Sequence, residues 1–308
     1  MALEFSVVIP TFNRYDVLVE VLRALEVQRG APEFEVVVVD DGSSDGTAEF
    51  FQRFETPLAL KFVRQENRGP AAARNRGVLE AKAPRVAFLG DDTVPAPGWL
   101  AAHCEAHRRL GDRTEQAVIG YTRWHPRIRR TSFLHYINEH GLQFGYALIR
   151  DRDEVPFNFF YTSNLSLSKR MLLDEPFDLR FPYAAWEDIE ASYRMVRRGL
   201  KLAYEPDALV EHDHPTDLRR FADRQEKAGF SAVVFYRLHP ELGAFLGIGP
   251  EGPPPLPPVG RQRRLEGLVR ALQHLPLALP RWWEEVLRYH YIRGLQRGWV
   301  EGAGLGKE

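Results

Sequence analysis

Two pairs of adjacent aspartates each follow an apolar stretch typical of a buried strand. Asp40-Asp41 comes directly after Phe34–Val39, and Asp91-Asp92 follows Arg85–Leu89 with one glycine between. Carboxylates beside apolar strands are costly unless they are solvated, hydrogen-bonded or neutralised by a cation. Adjacent carboxylates suit Mg²⁺ or Mn²⁺, which take oxygen ligands and commonly bridge to substrate phosphates. For Asp40 and Asp45, a turn followed by a helix cap explains the residues equally well.

A second polar group lies in the latter half of the chain. Glu187-Asp188 precedes an apolar helical repeat, and His212 and His214 flank an aspartate after a strand-like stretch. A carboxylate can act as a general base, and imidazole is a common metal ligand. Helix capping is the alternative for Glu187 and Asp188. For the histidines, we favour His212 as a metal ligand and keep His214 as its rival.

Three other patterns carry less weight. His103 and His107 have the i, i+4 spacing of a zinc pair but lack the HExxH order, so we expect a solvated helix face. The glycine-rich Gly302–Lys307 imitates a phosphate loop without the Ser/Thr or the following helix, so we expect a tail. A GxGxxG motif after a strand is absent, which argues against a dinucleotide dehydrogenase.

The elements that must position these residues alternate along the first half of the chain. Apolar runs predict strands at 6–9, 34–39, 58–63 and 85–89, and helical spacing predicts helices at 17–25, 48–54 and 71–81. Strands apolar on both sides are typical of a buried parallel sheet, and right-handed crossovers favour a doubly wound arrangement. Ligands bind at the carboxyl ends of such strands, where the aspartate pairs stand.

The second half is less regular. We expect helices at 99–110, 189–198 and 217–238, strands at 116–123 and 201–204, and an aromatic-rich stretch at 131–149. Residues 247–260 form a Pro/Gly linker. Helices follow at 261–297, interrupted by Pro276 and Pro280.

The composition of the chain excludes several classes of protein. The 308 residues are 44% hydrophobic, 27% charged and close to neutral, with a formal charge of −1. These values favour a globular protein and argue against nucleic-acid binding. No apolar run reaches the roughly 18 residues of a membrane span, and the first dozen residues do not resemble a signal peptide. The single cysteine excludes an intrachain disulfide and fits a reducing compartment.

Four sequence blocks together resemble family 2 glycosyltransferases of the GT-A fold. In order they are SVVIPTFNR, VVVVDDGSSDGT, ENRGPAAARNRG and FLGDDT. The resemblance continues through Trp186-Glu187-Asp188 and Val210-Glu211-His212, and it covers about residues 1–240. It implies an α/β/α sandwich with a mostly parallel central sheet and a helical C-terminal extension. The implied domains are a catalytic domain at 1–240, divided into a nucleotide-binding half (1–98) and an acceptor-binding half (99–240), and an extension at 241–308.

The resemblance also implies roles for individual residues. Asp188 would be the general base, and Asp92 and His212 the metal ligands, with His214 as the alternative. The donor nucleotide would contact Pro10, Thr11, Phe12, Asn13, Asp41, Gly69, Arg74 and Asp91. The acceptor or the sugar would contact Asn164, Trp186 and Glu187.

The implied activity is metal-dependent transfer of a sugar, with inversion, from a nucleoside-diphosphate sugar to an acceptor hydroxyl. The metal would be Mn²⁺ or Mg²⁺, the donor a UDP, GDP or dTDP sugar, and the acceptor a saccharide, a lipid or a small molecule in polysaccharide or glycolipid synthesis. The alternatives are a sugar-phosphate nucleotidyltransferase and a catalytically silent binder on the same scaffold. We expect a cytoplasmic protein that binds no nucleic acid.

The C-terminal region leaves a further choice open. From Pro215 onward the chain has 14 basic and 10 acidic residues. The same region contains the aromatic residues of Arg281-Trp282-Trp283 and Trp299. Such a stretch can contact the inner face of an anionic membrane. Packing against the rest of the chain, or a homodimer contact, is the more usual alternative.

Overall fold

An eight-stranded sheet carries the first part of the chain. The computed structural model describes residues 2–272 and 279–302. The strands are β1 (Phe5–Thr11), β2 (Phe34–Asp40), β3 (Leu60–Arg64), β4 (Arg85–Leu89), β5 (Thr93–Pro95), β6 (Gln116–Trp124), β7 (Asn164–Ser168) and β8 (Lys201–His212). Their order across the sheet is β3-β2-β1-β4-β7-β6-β8-β5.

Most of the strands run in one direction. β1 pairs in parallel with β2 and with β4, β2 pairs in parallel with β3, and β6 pairs in parallel with β8. Only β7 and β5 are reversed relative to their neighbours. The prediction of an α/β fold with a mostly parallel sheet is therefore confirmed. The sequence did not predict β5 and β7, because one is three residues long and the other, NLSLS, alternates with polar residues.

Eleven α-helices occur in the described part of the chain. They are α1 (Tyr15–Glu26), α2 (Thr47–Phe51), α3 (Pro70–Glu80), α4 (Trp99–Arg109), α5 (Ser132–Glu139), α6 (Lys169–Asp174), α7 (Glu187–Arg197), α8 (Leu218–Leu238), α9 (Gly243–Leu246), α10 (Val259–Leu272) and α11 (Pro280–Val300). Pro280 begins α11, as Pro does in many helices, while Pro276 and the tail after Gly302 lie outside the described residues. Among the described residues, no helix combines the length and apolarity that a membrane span requires.

The chain divides into two compact units. The first contains residues 2–128, 146–178 and 188–214, and so includes the whole sheet. The second contains 129–145, 179–187 and the described part of 215–302. The core of the first unit lies between the sheet and helices α1 and α4, where Phe5, Val38 and Trp99 have no exposed surface. β1 and β2 are buried on both faces, which explains their unbroken apolar sequences.

A buried polar network joins α4 to β7, and it corrects the expectation of a solvated face. His103 and His107 are almost completely buried. His103 Nε2 lies 3.0 Å from Asn164 Oδ1, and both histidines contact the hydroxyl of Ser166 at 2.9 Å. The i, i+4 spacing therefore places two imidazoles on the inner face of α4. They are tolerated there because Asn164 and Ser166, about 60 residues away in the sequence, supply hydrogen-bond partners.

The second unit is built on a close contact between α8 and α11. A Cβ atom at Gly229 would lie 2.0 Å from the carbonyl oxygen of Tyr291, and one at Gly294 would lie 2.0 Å from that of Glu226. Glycine at these positions lets the two helix backbones touch. Trp283 is buried in the same unit, with its ring 5.6 Å from Phe133. Trp283 is thus packed inside the second unit and is not exposed.

Candidate active site

Strand pairing brings two distant polar groups together at one edge of the sheet. Asp92 directly precedes β5, and β5 pairs antiparallel with β8 so that Thr93 lies opposite His212. The backbone N–H of Asp213 donates to the carbonyl oxygen of Asp92 at 2.7 Å. Because β1, β2, β4 and β8 run in the same direction, their carboxyl ends meet at this edge, where α/β sheets bind ligands.

Asp92, His212 and His214 form a cluster suited to a metal ion. Asp92 Oδ2 lies 3.4 Å from His212 Nε2 and 3.3 Å from His214 Nδ1. One ligand atom from each residue lies within 4.8 Å of the others. The structure thus brings both histidines to Asp92, although from the sequence His212 and His214 are alternatives. One carboxylate and two imidazoles fit a divalent transition-metal ion.

Ring stacking fixes the imidazole of His212. Its ring stacks on Trp124 with the centroids 5.3 Å apart, and the ring of His214, nearly parallel to it, has its centroid 5.5 Å away. Trp124 ends β6, which runs beside β8. The orientation of this candidate ligand is therefore set by the sheet itself.

Arg14 lies against both aspartates, and it is not among the site residues expected from the sequence. Its Nη1 atom is 3.3 Å from Asp91 Oδ1 and also contacts Asp92 Oδ2, the oxygen that faces both histidines. Asp91 in addition accepts a hydrogen bond from the hydroxyl of Thr11 at 2.9 Å. A basic residue shortly after the carboxyl end of β1 is the signal that could have revealed this contact.

The two aspartates have opposite electrostatic surroundings. Burial and the neighbouring charge of Asp92 raise the pKa of Asp91. Burial also raises the pKa of Asp92, but Coulombic interactions with His212 and Arg14 and hydrogen bonds with His212 and His214 outweigh it and hold that pKa well below its usual range. Asp92 is thus the carboxylate that stays ionised, which is the form a metal ion requires.

Asp41 organises the loop before α3. Its carboxylate accepts hydrogen bonds from the backbone N–H groups of Arg68 at 3.0 Å and Gly69 at 2.8 Å, and from the amide of Gln65 at 2.8 Å. Gly69 has a φ of +84°, a conformation that favours glycine. Asp41 therefore fixes the backbone at Gly69, the other residue assigned to the donor pocket in this loop.

The remaining donor-side residues have different surroundings. Asn13, with a left-handed φ of +52°, accepts a hydrogen bond from the backbone N–H of Ser44 at 2.7 Å. Phe12 is 46% exposed, and Pro10 is partly buried in β1. Arg74 lies on α3, with its guanidinium 5.7 Å from the ring centroid of Phe177. Only Phe12 among these offers a large apolar surface to a ligand.

Asn164 lies in the core and not on an open surface. It has no exposed area. Its amide donates to the carbonyl oxygen of Ala208 at 2.8 Å, and its Oδ1 accepts from the indole of Trp99 at 2.7 Å. Gly120 leaves the room for this side chain, because a Cβ there would lie 2.3 Å from the amide. This placement disagrees with the sugar contact expected for Asn164, and the residue instead links α4 to the sheet.

The Trp-Glu-Asp motif falls at a boundary between the two units. Trp186 and Glu187 belong to the second unit and Asp188 to the first. Glu187 is buried and is the first residue of α7. Asp188 is partly buried, and its Oδ1 accepts a hydrogen bond from the backbone N–H of Ile189 at 2.9 Å. The contact with Ile189 resembles helix capping, which was the alternative to a catalytic role.

Comparison with known proteins places the chain among sugar transferases. The sequence model of the family "Glycosyl transferase family 2" matches residues 6–175, which are more than half of the chain. Validoxylamine A glucosyltransferase of Streptomyces hygroscopicus subsp. limoneus is 31% identical over 268 residues, which cover 77% of this chain and 57% of that protein. Chondroitin synthase of Escherichia coli is 29% identical over 250 residues, which cover 71% and 36%. The chain spans less than two thirds of the length of these relatives.

Solved structures share the fold. The mannosyltransferase PcManGT from Pyrobaculum calidifontis, solved with GDP-Man and Mn²⁺, has a TM-score of 0.62 at 18% identity, covering 98% of this chain and 88% of that chain. TarS 1–349 of S. aureus has a TM-score of 0.53 at 18% identity, covering 97% and 92%. Such similarity shows the GT-A fold alone. Together with the match over residues 6–175, it establishes that the chain belongs to glycosyl transferase family 2.

Proposed function

We propose that this protein transfers a sugar, with inversion, from a nucleoside-diphosphate sugar to an acceptor hydroxyl. The observation that carries the proposal is the cluster of Asp92, His212 and His214 at the carboxyl edge of the sheet. Family membership supports the same activity. PcManGT was solved with a GDP sugar, and TarS was solved with UDP-GlcNAc, so both relatives bind donors of this class.

On the donor side, Asp92 and the two histidines would hold a divalent metal. Such a metal supplies Lewis-acid stabilisation of the leaving nucleoside diphosphate. Thr11 holds the carboxyl of Asp91, which we assign to a ribose or sugar hydroxyl. Arg74 and the backbone of Gly69 would face the diphosphate, since a guanidinium and a close backbone approach suit that group. Pro10, Phe12, Asn13 and Asp41 would complete the pocket for a UDP, GDP or dTDP donor.

The donor set favours Mn²⁺ over Mg²⁺. Magnesium prefers oxygen ligands in octahedral geometry, whereas imidazole suits transition metals. Two of the three side chains in the cluster are histidines, His212 and His214. We therefore propose Mn²⁺ as the metal that supports turnover best.

On the acceptor side, we assign Asp188 as the general base. An inverting transfer needs one carboxylate to remove the proton of the acceptor hydroxyl while that oxygen attacks the anomeric carbon. The diphosphate leaves without protonation by an acid, so a second carboxyl is not required, unlike in glycoside hydrolysis. Asp188 is partly buried at the start of α7, and its Oδ1 accepts from the backbone N–H of Ile189, so the carboxylate is held beside the first turn of this helix. Trp186 and Glu187 would contact the acceptor beside it.

The finer expectations on partners stay predictions. The catalytic domain would span 1–240 and the extension 241–308. Exposed arginines on α10, among them Arg261, Arg263 and Arg264, support a peripheral contact with an anionic inner membrane surface in the cytoplasm. A saccharide, a lipid or a small molecule would be the acceptor, and a homodimer stays a prediction.

A panel of donors tests the proposal. Wild-type protein with Mn²⁺ is incubated with UDP-, GDP- and dTDP-sugars, and release of nucleoside diphosphate is measured. We expect slow release from at least one donor. A nucleotidyltransferase would instead form pyrophosphate from a nucleoside triphosphate and a sugar phosphate. No release from any donor, and no thermal stabilisation by any, would contradict the proposal.

The Asp188→Asn variant tests the assigned base. We expect release of nucleoside diphosphate to be abolished while donor affinity stays within a few-fold, because the change removes only the basic oxygen. Asp223→Asn, an exposed change on α8, is the matched control and is expected to keep wild-type activity. Equal losses of binding and turnover in Asp188→Asn would assign this residue to donor binding or to structure.

A further inference from the structure

The segment that leads into Asp188, residues 179–187, is held by the long helices of the second unit. Trp186 has a left-handed φ of +74°. Its indole N–H donates to the carbonyl oxygen of Ala228 in α8 at 2.9 Å, and its ring lies 6.0 Å from that of Phe235. A non-glycine residue in this conformation is unfavourable, so surrounding contacts must stabilise it. The 179–187 segment therefore takes its conformation from α8.

Tyr183 connects the same segment to α11. Its hydroxyl oxygen accepts a hydrogen bond from Arg297 Nη2 at 3.0 Å, and its ring packs edge-on against Phe230 at 5.5 Å. The guanidinium of Arg297 also lies over the Phe230 ring at 4.9 Å and pairs with Glu226 at 3.1 Å. Arg297 thus joins α8, α11 and the 179–187 segment through one side chain.

The guanidinium of Arg297 is held in place by its ion pair with Glu226. Glu226 is only 15% exposed at its side chain, and Arg293 contacts its other oxygen, Oε2. A carboxylate with little solvent holds its cationic partners more firmly than an exposed one. Glu226 therefore fixes the guanidinium of Arg297, and the fixed guanidinium in turn fixes the Tyr183 hydroxyl.

We propose that α11 positions the 179–187 segment for the transfer reaction, with Arg297, Tyr183 and Trp186 as positioning residues. The inference rests on the proposed function, in which Asp188 is the general base. Glu187 and Asp188 are the first two residues of α7, so any shift of the segment moves the start of this helix. Misplacement of a reacting group by about 1 Å can cost on the order of 100-fold in rate. The C-terminal helix then acts on the reaction only through the 179–187 segment that leads into Asp188.

Three variants separate positioning from stability. Arg297→Met and Tyr183→Phe each remove the hydrogen bond between α11 and the segment. Arg293→Met is the matched control, because Arg293 pairs with the same Glu226, whereas in the described part of the chain it is Arg297 that contacts the Tyr183 hydroxyl. Two readouts are taken for each protein: release of nucleoside diphosphate from the donor panel with Mn²⁺, and amide hydrogen exchange in peptides covering residues 179–190.

We expect Arg297→Met and Tyr183→Phe to slow release by roughly tenfold or more at unchanged donor KM. Both should speed exchange in 179–190, and the double variant should be no slower than Arg297→Met alone. Arg293→Met should keep wild-type release and exchange. Equal losses of release in Arg293→Met and Arg297→Met, or unchanged exchange in Arg297→Met, would overturn the inference. A wild-type protein that releases nothing would instead overturn the proposed function.

Discussion

Lowering the pH from 7 to 5 is expected to destabilise the protein through the two buried histidines of α4. Burial lowers the pKa of His103 to about 4 and that of His107 to about 3. The hydrogen bonds explain why protonation is unfavourable. His103 donates from Nε2 to Asn164 and accepts at Nδ1 from Ser166, so an added proton at Nδ1 would face another donor. An imidazolium at His107 would be buried.

The magnitude follows from the difference between the folded and unfolded pKa values. In the unfolded chain each histidine takes up a proton near its ordinary pKa of about 6.5, while the folded protein does not. The free energy of unfolding is therefore greatest above pH 6.5 and falls as the pH drops toward the folded pKa. Between pH 7 and pH 5 each histidine contributes a loss of about 2 kcal/mol, or about 4 kcal/mol for both. That is a large part of a typical stability of about 5–15 kcal/mol.

Urea unfolding followed by circular dichroism at pH 5, 6 and 7 measures this loss. The comparison protein is His107→Gln, whose amide can still donate to Ser166 but does not titrate. We expect the loss between pH 7 and 5 to be about 2 kcal/mol smaller in this variant than in wild type. Carboxylates contribute equally to both proteins, so the difference isolates His107. The same pH dependence in both proteins would refute the argument.

Three further changes test the site and the C-terminal packing. His212→Ala should weaken Mn²⁺ binding at least about tenfold in a calorimetric titration, and His140→Ala, an exposed change, should leave it unaltered. Arg14→Gln should tighten Mn²⁺ binding in the absence of nucleotide by roughly tenfold or more, since a positive charge at contact distance opposes a cation by at least about 1 kcal/mol; weaker binding would show that Arg14 supports the metal. Gly294→Ala should lower the free energy of unfolding by about 1–3 kcal/mol because its Cβ meets the α8 backbone. Gly267→Ala, with open space around it, should gain up to about 1 kcal/mol, and equal effects of the two glycine changes would contradict the packing argument.

The early sheet could be predicted from sequence because burial on both faces leaves an unmistakable apolar pattern. Val36–Val39 has no polar position, so the sequence predicts both that this segment is a strand and that it lies inside a parallel sheet. β7 has the opposite character, since its Asn164 and Ser166 point into a polar core. Polar residues at a strand are ordinarily assigned to a surface or a site. Their true partners, on α4, become visible only when the chain is folded.

The candidate metal-binding residues could be chosen from the sequence, but their electrostatic surroundings could not. Asp92 and His212 stand out because carboxylates and imidazoles follow strand-like stretches. The pairing of Thr93 with His212, which brings them together, depends on a three-residue strand with no sequence signal. The position of Arg14 after β1 places it at the same edge of the sheet, but its contact with both aspartates is seen only in the folded chain. In the C-terminal region, the role of Gly229 and Gly294 could not be predicted from the sequence. A glycine inside a helix is required there only because the backbone of a neighbouring helix lies against it.

The proposed function requires that Asp92, His212 and His214 hold a metal ion to which a nucleoside diphosphate binds. Calorimetric titration of UDP, GDP and dTDP, with Mn²⁺ and with EDTA, tests it most directly on wild-type protein and on His212→Ala. We expect at least one nucleotide to bind wild-type protein in the presence of Mn²⁺, EDTA to abolish this binding, and His212→Ala to weaken it at least about tenfold. Binding of equal strength in EDTA, or the absence of binding by all three nucleotides, would contradict it.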